Sequence, residues 1–156
     1  MLLRSAVMSD LPELVDVQKA CAQVGLAHIF PQDTHPFPRS AVLARWADEV
    51  ACPDVEVYVV VRHERRIEGF AAIRDDELLH FGTALGTWGT GLAAAVHDEL
   101  VERLAAAGKP GAWLRVFEQN RRARRFYEKM GWTPTERLTR SAFAPFPVLV
   151  DYEIAL

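Results

Sequence analysis

A chain of 156 residues, half of them hydrophobic and a quarter charged, has room for one domain with a core of its own. Its net charge of −3 argues against a general nucleic-acid binder, which needs a basic excess, and no apolar run approaches the roughly 20 residues that cross a bilayer. Cys21 and Cys52 are too few for a disulfide framework, and no Cys/His cluster has metal-ligand spacing. The expectation is therefore a single domain over 1–156, without metal, partnering neither nucleic acid nor membrane. Reduced cysteines make the cytoplasm its default compartment, and Met1-Leu2-Leu3-Arg4 turns polar too soon for a signal peptide.

Leu2 to Ala6 reads as a short strand. Ser9 and Asp10 then offer an N-cap, with Pro12 and Glu13 in the first turn of a helix. Leu14, Val17, Cys21 and Val24 give that helix an apolar stripe, and Gly25 ends it. The irregular stretch from Leu26 to Arg39, with its histidines, phenylalanines and prolines, is too apolar for a solvated linker. It reads as a pocket wall or as a loop packed on the core. Ser40 caps a second helix with Val42, Leu43, Trp46 and Val50 inward, stopping before Pro53.

Val55 to Arg62 is a β-branched strand, His63-Glu64-Arg65-Arg66 a polar turn, and Ile67 to Ile73 a returning strand. Gly69 inside it marks a bulge or a close backbone approach. After Asp75-Asp76, Glu77 to Phe81 completes an antiparallel meander. A helix follows over 91–107, with Leu92, Val96, Leu100 and Leu104 on one face. Gly108 to Gly111 breaks it, 112–117 is a strand, and Asn120 to Met130 a helix closed by Gly131. The tail, Trp132 to Leu156, forms two strands broken around Pro145 and Pro147. Strand 78–81, helix 91–107 and strand 112–117 make a βαβ unit, so those two strands are expected to lie parallel. The fold class is α/β (α+β): a mixed, mostly antiparallel central sheet with flanking helices.

Two stretches carry chemistry. The first is Gly86-Thr87-Trp88-Gly89-Thr90-Gly91, an uncharged turn between a strand and a helix start. Free backbone N–H groups and the positive end of the helix dipole make such a turn an anion site, although a glycine turn can also be purely structural. It lacks the lysine of a P-loop, and its GxxGxG spacing reverses the dinucleotide fingerprint. The second is Asn120 to Trp132, in which Ala123, Phe126, Tyr127 and Met130 share an apolar helix face. Asn120 and Tyr127, seven apart, differ by only about 20° around the axis, with Arg124 close to that line. Both helices follow parallel strands, so the two stretches meet at one edge of the sheet, where ligands of α/β folds bind.

Asn-x-x-Ala-x-x-Phe-Tyr-Glu-x-x-Gly-Trp after a strand resembles the second cofactor motif of the GNAT acetyltransferase superfamily, and the glycine turn resembles the first. The first motif departs from the family pattern Arg/Gln-x-x-Gly-x-Gly/Ala, because Gly86 stands where Arg or Gln is usual. The resemblance covers nearly the whole chain and implies a GNAT-like fold and an acyltransferase that moves acetyl from acetyl-CoA to an amine. The partner it implies is a small molecule or peptide amine; a homodimer is an assembly left open. It further implies pantetheine pairing with Leu79 and Phe81, and pyrophosphate on the amides of Thr87, Trp88, Gly89, Thr90, Gly91 and Leu92. Asn120 would bond the pantetheine, and Arg124 or Arg122 would lie near the adenosine phosphates. Tyr127 corresponds to the tyrosine that protonates the departing thiolate.

Glu77 is the candidate base for the attacking amine, with Asp75, Asp76, His80 or a water relay as alternatives. His97 is expected at the surface, and Phe30, Phe37, Phe143 and Phe146 at an acceptor pocket. The competing function is a non-catalytic acyl-CoA-binding sensor.

Overall fold

The computed structural model of the chain describes residues 1–63 and 66–156; Glu64 and Arg65, inside the expected polar turn, lie outside the described residues. Among the described residues seven strands and four longer helices follow in order: β1 (Leu3–Ser5), α1 (Leu11–Gly25), α2 (Arg39–Ala51), β2 (Val55–Val60), β3 (Gly69–Arg74), β4 (Glu77–Thr83), α3 (Leu92–Ala106), β5 (Gly111–Phe117), α4 (Arg121–Lys129), β6 (Thr133–Arg140) and β7 (Val148–Ala155). The sheet order is β1-β2-β3-β4-β5-β7-β6, with β4 and β5 parallel and the other neighbours antiparallel among the described residues. The βαβ unit therefore forms as its sequence pattern predicts, and β7 inserts between β5 and β6.

Alternation along β2 shows why the sheet is buried on both faces. Tyr58 and Val60 join Leu92, Val96, Leu100 and Leu104 of α3 in one apolar layer. Val57 and Val59 join Leu14 and Val15 of α1 and Val42 and Trp46 of α2 in the other. A strand read on both faces is a near-continuous apolar run, as Val55–Val60 is. The four α3 leucine and valine positions recur every fourth residue, and all four are buried.

Three local expectations change. Val24 is 58% exposed, because the buried stripe of α1 runs through Leu11, Leu14 and Val15 instead. Ser40 is not a cap: α2 begins at Arg39, directly after Pro38, without a side-chain cap. Asp10 also makes no cap bond to α1, since its carboxylate accepts from the Val7 N–H at 2.8 Å and from Arg4 at 2.9 Å. Gly69 is a close approach, as a Cβ there would stand 2.6 Å from the Gly82 carbonyl oxygen. The bulge lies elsewhere. Ala72 pairs with His80 and Ile73 with Leu78, so Leu79 is an extra residue in β4.

Candidate active site

The site begins where two parallel strands part. Glu77 and Trp113 are paired, and past them no ladder pair joins β4 to β5 among the described residues. The gap opens into a cavity of about 540 Å³ that crosses the sheet. On one side it is lined from α1 by Gln18, Cys21, Ala22 and Gly25, and on the other from α4 by Asn120, Arg122, Ala123 and Tyr127. Its size suits a cofactor or small-molecule pocket.

The β4 bulge sets what faces the gap. Leu79 packs with the α1/α2 layer and Phe81 with the α3/α4 layer, so the two line the cleft from opposite faces of the strand. Glu77 does not reach the cleft. It is only 4% exposed, it accepts from the Arg74 guanidinium at 2.9 Å, and it sits at the closed end where β4 and β5 are still paired. Strict alternation would have given Glu77 the facing of both Leu79 and Phe81; the extra residue breaks that relation. Asp75 is engaged by Lys109, and Asp76 by the Trp113 indole N–H at 3.1 Å. Of the four base candidates, His80 is the one that lines the cleft. Its Nε2 lies 3.0 Å from Glu49 Oε1 of α2, and its ring packs 4.7 Å from Trp46. Glu49 thereby orients the imidazole.

The glycine turn spends part of its own donors. The N–H groups of Thr87, Trp88 and Thr90 bond back to Ala84, Leu85 and Thr87 at 2.8, 3.2 and 3.2 Å. Gly89, Gly91, Leu92 and the next residues of the first α3 turn remain as the donor row, with Leu92 N held only loosely by Thr90 Oγ1 at 3.4 Å. Gly89 and Gly91 have φ of 79° and 89°, and a Cβ on either would meet nothing within 4 Å. Glycine is needed there for the backbone conformation rather than for room inside the protein. Gly86 has ordinary φ and equally open surroundings. The side chains of Thr87 and Leu92 are buried in the protein, while Trp88 and Ala93 line the cleft.

Trp88 ties the site together. Its indole N–H donates to the Thr83 carbonyl at 3.0 Å, its ring edge abuts Gly25 of α1, and the Arg122 guanidinium lies 3.5 Å from its ring centroid. Asn120 lines the cleft and caps α4 by accepting from the Ala123 N–H at 3.2 Å, which leaves its amide N–H₂ free of that bond. Arg124 is drawn away: its Nε donates to the Tyr152 hydroxyl at 2.8 Å and its Nη1 to the Glu118 carbonyl at 3.0 Å. Arg122 and Arg125 line the cleft in its place.

Tyr127 is buried between Phe126 and Trp132, lines the cleft, and its hydroxyl has no hydrogen-bond partner among the described residues. Burial pushes its pKa above that of an ordinary phenol, so it keeps its proton at neutral pH. His97 is 2% exposed rather than at the surface, and its Nε2 accepts from the Trp132 indole N–H at 2.8 Å. The four loop phenylalanines do not line the cleft: Phe30 packs edge-on against Phe117, Phe37 and Phe143 join the α1/α2 layer, and Phe146 is exposed.

Gln18, Cys21 and Glu49 were missed as cleft or cleft-supporting residues. A signal for the first two exists, since Gln18, Cys21, Ala22 and Gly25 recur at i, i+3, i+4, i+7, a helix face of small and polar residues. Cys21 bonds the Thr83 carbonyl at 3.1 Å, closing the far end of β4.

The profile of the Acetyltransferase (GNAT) family matches residues 20–132. An uncharacterized N-acetyltransferase of Mycobacterium tuberculosis is 36% identical over 94 residues, which are 57% of this chain and 60% of that relative. Among solved structures, a GCN5-related N-acetyltransferase from Rhodopseudomonas palustris superposes with a TM-score of 0.74 at 16% identity, covering 99% of this chain and 94% of the other. The PaiA N-acetyltransferase of Thermoplasma acidophilum, solved with coenzyme A, gives 0.72 at 16% identity over 99% and 98%. At such identities these two likenesses bear on the fold.

Proposed function

Since the chain belongs to the acetyltransferase (GNAT) family, a family of acyltransferases, we propose that it transfers an acetyl group from acetyl-CoA to an amine by direct attack on the thioester. One observation carries the reading: the unpaired β4/β5 gap, the turn into α3 at Trp88 and Ala93, and Tyr127 all border one cavity. Acetyl-CoA supplies an activated acyl carbon. The N–H groups of Gly89, Gly91 and the first α3 turn receive its diphosphate, with the Arg122 guanidinium stacked on Trp88 of the same turn. The parted edge of β4 offers main-chain groups to the pantetheine, in the manner of an added strand. Backbone N–H beside the bulge steadies the oxyanion that forms as the amine adds to the carbonyl carbon.

His80, held by Glu49, accepts the proton that the amine sheds. As the C–S bond breaks, Tyr127 gives its proton to the sulfur, whose thiol has a pKa of about 8.5. A new C–N bond and a free thiol form, and the proton held by His80 passes by way of solvent to the Tyr127 phenolate, so that both residues return to their starting states. The two free cysteines, Cys21 and Cys52, suit a reducing compartment, the cytoplasm.

Thiol release from acetyl-CoA in the presence of an amine panel is the test. Amine-dependent release supports the enzyme. Tight coenzyme A binding with no release across a broad panel would favour a sensor, a reading that the absent side chain at Gly86 also favours.

A further inference from the structure

Acetyl transfer leaves the acceptor open, and the face of the cleft opposite the cofactor phosphates carries a guanidinium, that of Arg115, that donates no hydrogen bond among the described residues. Along β5, Ala112, Leu114 and Val116 are buried in the α3/α4 layer, so Trp113, Arg115 and Phe117 face the α1/α2 side. Glu77 and Trp113 form the last β4/β5 pair. Two residues further on each strand stand Leu79 and Arg115, which places Arg115 at the first position of the splay, across the gap from the Leu79–His80 bulge. Arg115, Leu79 and His80 all line the cavity.

The Arg115 guanidinium makes no hydrogen bond among the described residues. Its contact with Asp151, 3.9 Å from Nε to Oδ1, is too long to be one. Arg137 donates to the other oxygen of that carboxylate, Oδ2, at 3.4 Å, so Arg115 balances the charge at Oδ1 through its Nε side while its terminal N–H groups make no hydrogen bond. The Arg115 side chain is 43% exposed, and its guanidinium carbon lies 5.0 Å from the centroid of the Trp113 ring, a stack that fixes the plane of its donor fork. An oriented, unspent fork of N–H donors is matched by a carboxylate, which takes two of them at once. The cavity that Arg115 lines also has apolar walls, Phe70, Leu79, Phe117 and Leu149 among them, beside the polar Gln18 and His80.

We propose that Arg115 binds a carboxylate of the acceptor, so that the substrate is an amine bearing both a carboxylate and an apolar body, the chemistry of an aliphatic or aromatic α-amino acid. Seated on Arg115, such an acceptor directs its amine across the gap toward His80 on β4. This inference rests on the acetyl-transfer reading, and the cofactor phosphates do not compete for the same cation, because Arg122, Arg125 and Lys129 line the cleft from α4.

The test measures kcat/KM with acetyl-CoA for two matched series: leucine, leucinamide and isoamylamine, and phenylalanine, phenylalaninamide and phenethylamine. The expected result is a roughly ten- to hundredfold advantage of each acid over its amide and its decarboxylated amine, the range of a charge-assisted bond. Arg115→Gln should erase that advantage. Thermal unfolding of the variant should fall only slightly, by the loss of a half-exposed ion pair with Asp151 and the stack on Trp113. Amides or plain amines that match the acids, a preference that survives Arg115→Gln, or no turnover of either series while coenzyme A binds by calorimetry would each overturn it. Failure of coenzyme A to bind would instead remove the acetyl-transfer reading, and this inference with it.

Discussion

Tyr127→Phe separates chemistry from architecture, because the phenol oxygen does nothing visible for the fold. Its hydroxyl has no protein partner among the described residues, and the ring is held by Phe126 and Trp132 with centroids 5.4 and 6.0 Å away. Phenylalanine keeps those ring contacts, and removing a partnerless polar atom is near neutral. The expected change in unfolding free energy is under about 1 kcal/mol, of either sign. Catalysis is different. General-acid help is worth about 10²- to 10⁴-fold, and a thiolate with a parent pKa of about 8.5 needs less help than an alkoxide. The lower end is therefore expected: kcat down roughly 10²-fold, or about 2.7 kcal/mol of barrier, with coenzyme A affinity nearly unchanged. Stopped-time thiol release at saturating acetyl-CoA, calorimetry with coenzyme A and a thermal melt give the three readings. Full turnover in the variant would remove Tyr127 from the chemistry. A large loss of stability would mean that the hydroxyl has a structural partner after all.

Further outcomes follow from the same cleft. Gly86→Arg fits without clash, since a Cβ there meets nothing within 4 Å, and it restores the usual family side chain; coenzyme A should bind several-fold tighter, roughly one charge-assisted bond less the entropy of the added side chain, and unchanged affinity would mean the position does not face the phosphates. Gly89→Val forces a β-branched residue to a φ of 79°, a strain of about 1–3 kcal/mol, and should abolish coenzyme A binding measured by calorimetry. His80→Gln should lower kcat/KM for amines by roughly 10²-fold while leaving coenzyme A affinity intact, as read by steady-state kinetics beside a binding titration. His97 is pushed below an ordinary histidine by burial, against the opposing pull of Asp98. The unfolded chain thus binds its proton first, and the His97 contribution, complete above a pH of about 6.5, is lost progressively as pH falls toward the folded pKa. His97→Gln keeps an acceptor for Trp132 and should flatten that acid limb in melts recorded from neutral pH downward.

Much of the fold is legible because its elements are strongly periodic. Leu92, Val96, Leu100 and Leu104 announce α3, and the βαβ spacing announces a parallel pair inside an otherwise antiparallel sheet. Both motifs carry into the cleft, with Asn120, Tyr127, Leu79, Phe81 and Trp88 all lining it. The failures at the site share one physical character: they depend on a partner in another element, which the period of a single element does not name. Leu79 becomes a bulge only through its register with Ala72 and Ile73, and that single extra residue separates Glu77 from the cleft. Arg124 has the right helical angle, but Tyr152 of β7, 28 residues on, takes its guanidinium. Glu49 gains a role only when α2 lays it against His80, 31 residues away. Helical and strand period fix which residues share a face; they do not say which neighbour will claim them.

The donor row at the start of α3 is best tested by phosphate itself. Calorimetric titration of the chain with coenzyme A, and in parallel with pantetheine, isolates the diphosphate contribution from the thiol arm. One coenzyme A per chain, with pantetheine weaker by at least roughly tenfold, is the expected result. Equal affinity for the two, or no heat with either, would contradict it.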